Sequence, residues 1–268
     1  HHPDGILPAA FPCRYAAEYT KKNMPSPAID LTRTLPEKIT ATLAERIVDG
    51  TYPPGSRLIE ALLSREFGLS HGPIRDALRS LQHAGLVTIL PYRGAVVTDV
   101  TVRETRELYQ VRAALVGLRA RWIAEDPQRD ELVKQVKAPI ARMQQLAGRD
   151  RAEYTRTALM VNRALTESLS NHWLRSTLAS LMLQTSRYTR LALASVTHQK
   201  YSARQWQALL NAIESGNGER AEKIAATLSQ ATRDEATRFL ERAAPPPGKP
   251  SPVKKISTVK SGSRKKTA

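Results

Sequence analysis

At 268 residues the chain has room for two modest domains or one large one. Aromatics make up only 5% and glycine is sparse, a mixture that suits helices packed on helices. A net charge of +16 points to a polyanionic partner, whereas a single cysteine, Cys13, excludes an internal disulfide framework or a cysteine-based zinc site, and no apolar run approaches the ~20 residues of a membrane span.

Residues 1–34 read as a flexible N-terminal segment. The stretch HHPDGILPAAFPCRYAAEY lacks the basic start and continuous apolar block of a signal peptide, so a soluble cytoplasmic protein is expected. Residues 1–23, ahead of Met24, read as leader or added sequence.

Three short helical patterns follow. Leu35–Val48 places Ile39, Leu43 and Ile47 on one face, and Asp49-Gly50 ends it before the rigid turn Tyr52-Pro53-Pro54-Gly55. A second helix over about 59–66 presents Leu62, Leu63 and Phe67, and Gly68 allows a sharp reversal. The third begins at Ser70, a good N-cap, with Pro73 in its first turn. Its buried stripe is Ile74, Ala77, Leu78 and Leu81, which leaves Ser70, His71, Gly72, Arg75 and Arg79 on the other side. Two alternating β-branched stretches, 86–90 and 95–100, joined by Pro-Tyr-Arg-Gly, predict a hairpin wing with Arg93 and Gly94 at its tip.

Small residues at a helix start let a backbone approach DNA closely, free N–H groups suit phosphate, and an arginine can grip guanine with two hydrogen bonds. The competing reading makes Arg75 a solvated surface charge. Bulk charge does not decide between them, because residues 31–100 carry 8 basic and 7 acidic groups.

The whole of 36–100 resembles the winged-helix domain of the GntR family of bacterial transcription regulators. The resemblance rests on the Gly-x-Tyr-x-Pro-Gly turn, on Arg57-Leu58 with Glu60, and on Phe67-Gly68 with Ser70. Pro73-Ile74-Arg75-Asp76-Ala77-Leu78, Gly85-Leu86-Val87 and Pro91 with Arg93-Gly94 complete it. It implies that Arg75 reads a guanine, that Ser70 and Gly72 lie against the DNA backbone, and that Gly94 contacts DNA from the wing. Arg57, His71, Arg79 and Arg93 complete the expected double-stranded DNA surface. His71 stands where the family usually has an arginine.

Residues 101–242 read as an all-α antiparallel bundle of about six helices, at 102–125, 129–147, 150–169, 171–195, 202–216 and 218–242. The fold class is therefore mainly α: a winged helix-turn-helix of three helices plus a hairpin, then the bundle. The second part is similar to the FadR-type (FCD) effector domain of the same family, through ELYQVRAALVGLRARWIAE, ALMVNRALTESLSNHWL and WQALLNAIESGNGERAEKIAATL. Many such domains hold a divalent metal with an aspartate and three histidines. Here those positions fall on Ala158, Asn162, Trp206 and Leu228, so no metal is expected.

For an effector, the resemblance makes Arg112 the leading residue, with Asn162, Arg187, Tyr188 and Trp206 as further candidates. Arginine forks suit a small organic acid. The competing reading makes the weaker candidates bundle salt bridges and Trp206 core filler. Residues 243–268, with 7 basic and no acidic groups, read as a disordered basic tail.

No catalytic triad, phosphate-cradling glycine loop or metal constellation is present, so an enzyme is not expected. The expectation is a homodimeric repressor on an inverted-repeat operator, working at the bacterial nucleoid and tuned by a small anionic metabolite. The alternative is a ligand-independent DNA-binding or architectural regulator whose pocket has closed.

Overall fold

The structure, a computed structural model, describes residues 34–90 and 94–243. The expectations for the N-terminal segment, for Arg93 at the wing tip and for the basic tail lie outside the described residues.

The N-terminal part is built from α1 (Leu35–Val48), β1 (Arg57–Leu58), α2 (Glu60–Phe67), α3 (His71–His83), β2 (Val87–Leu90) and β3 (Gly94–Val97). Thr34 and Glu37 form a reciprocal capping box that starts α1. Gly68 closes α2 in the left-handed region (φ 67°), and both its N–H and that of Leu69 bond to the Ser64 carbonyl. Only two residues then separate α2 from the Ser70 cap position of α3. The arginine and carboxylate of Arg46 and Glu66, with the Tyr52 hydroxyl between them, stitch α1 to α2.

Behind α3, Ile74, Ala77, Leu78 and Leu81 are buried against Ile39, Leu43 and Ile47 of α1 and Leu63 of α2. Fully burying each large aliphatic side chain contributes roughly 1.5–3 kcal/mol, an upper estimate because the unfolded chain already shields part of that surface. One expected core residue differs: Leu62 is exposed and Ser64 takes the inward place. The wing is a three-stranded sheet in the order β1-β3-β2 rather than a bare hairpin. Leu90 pairs with Gly94 and Val87 with Val97, while Arg57 pairs with Val96 on the other side of β3.

The second part contains α4 (Val102–Glu125), α5 (Arg129–Leu146), α6 (Arg151–Glu167), α7 (His172–Ala192), α8 (Val196–Glu214) and α9 (Gly218–Ala243). Thr101 and Glu104 cap α4 reciprocally, and those hydrogen bonds hold the Glu104 carboxyl below its usual range. α4 packs most extensively on α9. Gly117 makes that approach possible, since a β-carbon there would lie 3.2 Å from the Glu222 side chain and 3.3 Å from its carbonyl oxygen. α7 ends earlier, and α8 begins earlier, than the sequence pattern suggests. Tight i−3 and i−4 backbone bonds from Leu193, Ala194 and Ser195 turn the chain, and the Ser195 hydroxyl caps α8 by accepting from the His198 N–H.

The two parts touch through α7. Leu183 packs against the winged-helix core. Beside it, Gln184 covers Gly85, where a β-carbon would come within 2.8 Å of the glutamine side chain.

Candidate functional site

The exposed side of α3 presents Ser70, His71, Gly72, Arg75 and Arg79 together. Ser70 holds the N-cap backbone conformation, yet its hydroxyl makes no capping hydrogen bond. Gly72 lies inside the first turn of α3, and a β-carbon there would meet nothing within 4 Å. The fold therefore gains nothing from this glycine and loses roughly 0.5–1 kcal/mol of helix stability relative to alanine. Its missing side chain leaves room for something that comes from outside the chain.

Arg75 is reachable: its side chain retains 54% of its free exposure. It is not idle, however. The guanidinium forks onto Glu60 at the start of α2, Nη2 to Oε2 at 3.1 Å and Nε to Oε1 at 3.4 Å. Arg57 is exposed on β1, and Gly94 opens β3 with a φ of 77° that favours glycine. The geometry is that of a helix end offered to a groove, flanked by a wing.

A second candidate site lies inside the bundle. Arg112, Val116 and Arg119 of α4 line a cavity of about 50 Å³, together with residues of α6, α7, α8 and α9. All four positions where the family's metal ligands would fall, Ala158, Asn162, Trp206 and Leu228, converge on this cavity. Their side chains do not fit a divalent ion. Three carry no metal donor, and the Asn162 carbonyl oxygen Oδ1 accepts from Arg119 Nη1 at 2.8 Å. Among the described residues no group of three His, Cys, Asp or Glu could hold a metal.

The cavity is instead dominated by arginine. Arg112 is only 6% exposed, and its Nε and Nη1 have no hydrogen-bond partner. Its guanidinium carbon lies 5.0 Å from the Tyr109 ring centre. Arg119 is 2% exposed; its Nη1 donates to the Asn162 carbonyl, Asn162 Oδ1 and Thr166 Oγ1, while its Nε is unpartnered. Burial, and secondarily the charge of Arg112, lower Arg119 to about 9, which still leaves it protonated at neutral pH. The Ser229 hydroxyl on the same wall is also unpartnered. No carboxylate lines the cavity.

Of the sequence candidates, Arg112, Asn162 and Trp206 meet here, with Trp206 buried at 5% exposure in the main core. Arg187 and Tyr188 do not line it. Tyr188 is buried with Tyr109, Ala192 and Ala236, and Arg187 bonds the Tyr188 hydroxyl. Arg119 escaped the sequence reading, although its signal was present: it follows Arg112 and Val116 at i+7 and i+3 spacing, a charge inside an inward stripe.

Residues 35–97 match the model of bacterial regulatory proteins of the gntR family, and residues 107–231 match the FCD domain. The chain belongs to the GntR family. The galactonate operon transcriptional repressor of Escherichia coli strain K12 is 28% identical over 220 residues, which covers 74% of this chain and 95% of that protein. The HTH-type regulator YdhC of Bacillus subtilis strain 168 is 33% identical over 90 residues, 34% of this chain and 40% of YdhC, so this match spans less than half of that relative. The solved structure of E. coli McbR/YncC shares the fold with a TM-score of 0.66 at 17% identity, over 78% of this chain and 100% of the other. GntR proteins are DNA-binding transcription regulators rather than enzymes, and so is this chain. Among its described residues no helix is long and apolar enough to cross a membrane.

Proposed function

We propose that this GntR protein is a repressor that reads an inverted-repeat operator as a homodimer, acting at the bacterial nucleoid, and that a small organic anion in the bundle cavity modulates it. The observation that carries the DNA reading is the outward side of α3: a reachable arginine, an uncommitted Ser70 hydroxyl and a glycine the fold does not need. One such helix covers only a few base pairs, so two copies on one duplex are required for a full site.

Fragments captured from genomic DNA and footprinted should show two half-sites about one helical turn apart, or a multiple of that, occupied by two protomers. Arg75→Ala should weaken operator binding roughly 5- to 150-fold, the value of one bidentate guanine contact, with an unchanged melting temperature. Wild-type affinity in that variant would remove Arg75 from the reading role.

The effector reading rests on Arg112, which lines a cavity without a carboxylate and whose Nε and Nη1 have no partner. The galactonate operon repressor, aligned across both domains, is named for the operon of a small hydroxy acid, and this supports the same chemical class. One observation favours the closed-pocket alternative. At about 50 Å³ the cavity is well below the roughly 300 Å³ and more of typical ligand sites, and Trp206 fills one wall. A thermal-shift panel of small acids separates the two readings: stabilisation with release from the operator supports an effector, and no response supports a closed pocket.

A further inference from the structure

We infer that the bundle cavity is a metal-free site for a compact, doubly charged oxyanion, with Arg119 supplying the buried cation that a metal ion supplies in related domains. The inference rests on the proposed anionic effector and fixes its charge, its size and the means of its capture.

Three observations carry it. First, two arginines line one cavity, each residue at least nine-tenths buried, and no carboxylate lies among the lining residues. Buried charges persist when they are paired, so a net of two positive charges calls for two negative ones from a ligand; a monoanion would leave one cation uncompensated. Second, the side chains that line the cavity are donor-rich. Arg112 Nε and Nη1, Arg119 Nε and the Ser229 hydroxyl lack partners, a set matched to an acceptor-only ligand. Third, Asn162 is spent on Arg119. Its Oδ1 and its backbone carbonyl, with Thr166 Oγ1, clamp one nitrogen of the guanidinium, which fixes the group at the wall instead of leaving it to swing.

Size narrows the ligand. A cavity of about 50 Å³ holds roughly three to five water molecules, which a tetrahedral oxyanion or a short diacid replaces and a six-carbon sugar acid does not. Val116 lies between the two arginines along α4 and lines the same cavity, which puts an apolar side chain beside the two cationic ones.

The test uses the full chain near pH 8 at constant ionic strength, with inorganic phosphate, malonate and acetate as probes, each with and without EDTA. Calorimetry and thermal shift should show phosphate or malonate binding about tenfold or more tighter than acetate, with EDTA making no difference. Whichever of the two binds more tightly assigns the tetrahedral or the diacid form. Arg119→Gln, which can still donate to Asn162, should melt cooperatively and bring the dianion to within about twofold of acetate. Arg119→Lys should recover part of the preference, since it restores charge without the fork.

Binding that EDTA abolishes, or a dianion preference that survives Arg119→Gln, overturns this inference and leaves the anionic effector standing. Binding of none of the probes to the wild type overturns both.

Discussion

Single residues carry most of the chemistry, and Gly72 shows how a negative observation becomes informative. Nothing in the chain occupies the space its side chain would fill, so Gly72→Ala should raise the stability of the winged helix by roughly 0.5–1 kcal/mol in denaturant melts. The same variant should weaken operator binding in a shift assay; unchanged binding would mean the gap has no DNA partner. His198 makes a second case. It is buried behind the cavity wall, with a ring nitrogen 3.3 Å from Thr232 Oγ1. Desolvation, aided by Arg238 and opposed by Glu235, holds its imidazole below the ordinary value of 6.5. The unfolded chain therefore takes up the proton first. The stabilisation is complete above about pH 6.5 and is lost as pH falls toward the folded value. Melting curves from about pH 7 to about pH 5 should fall less steeply for His198→Gln than for wild type, and equal slopes would clear this ring of the effect.

Elements were legible where a period or a cap speaks, and opaque where two residues suffice. The stripe Ile74, Ala77, Leu78, Leu81 announces α3 and its hidden face, and Gly68 with Ser70 announces its start. β1 has no period to read: Arg57–Leu58 becomes a strand only because the Pro-Pro-Gly turn delivers it to β3, with the Gly55 N–H bonding the Val97 carbonyl. The α7–α8 turn, Leu193-Ala194-Ser195, has no glycine or proline to mark it, so backbone bonding and the Ser195 cap decide it. Leu62 looked like core because α2 is too short for its spacing to choose a face. The cavity illustrates the same limit. Arg112 came from resemblance, while Arg119 needed the packing to show that its stripe turns inward with no carboxylate facing it.

At the scale of the molecule, α7 joins the two sites. Thr189 near its cavity end and the C-cap Leu193 lie only about one and a half to three turns from Leu183 and Gln184, which abut the winged helix. A rigid helix of that length carries a displacement at one end to the other. Gly85→Val inserts side-chain bulk against Gln184 at a φ of 72° that valine disfavours. It should leave anion binding to the bundle near wild type but remove the effect of the anion on operator affinity. Retained coupling in that variant would route the signal elsewhere.

The clasp of Glu60 on Arg75 has a consequence for how such a molecule finds its target. On arbitrary sequence, phosphates alone must compete with a carboxylate already in place, and the near-neutral head adds little long-range attraction. Under the proposed reading, encounters with the wrong DNA should end quickly. If Arg75 reads a guanine as proposed, only a guanine presented at the right depth repays the exchange of partners, and grip on arbitrary sequence is traded for speed of search.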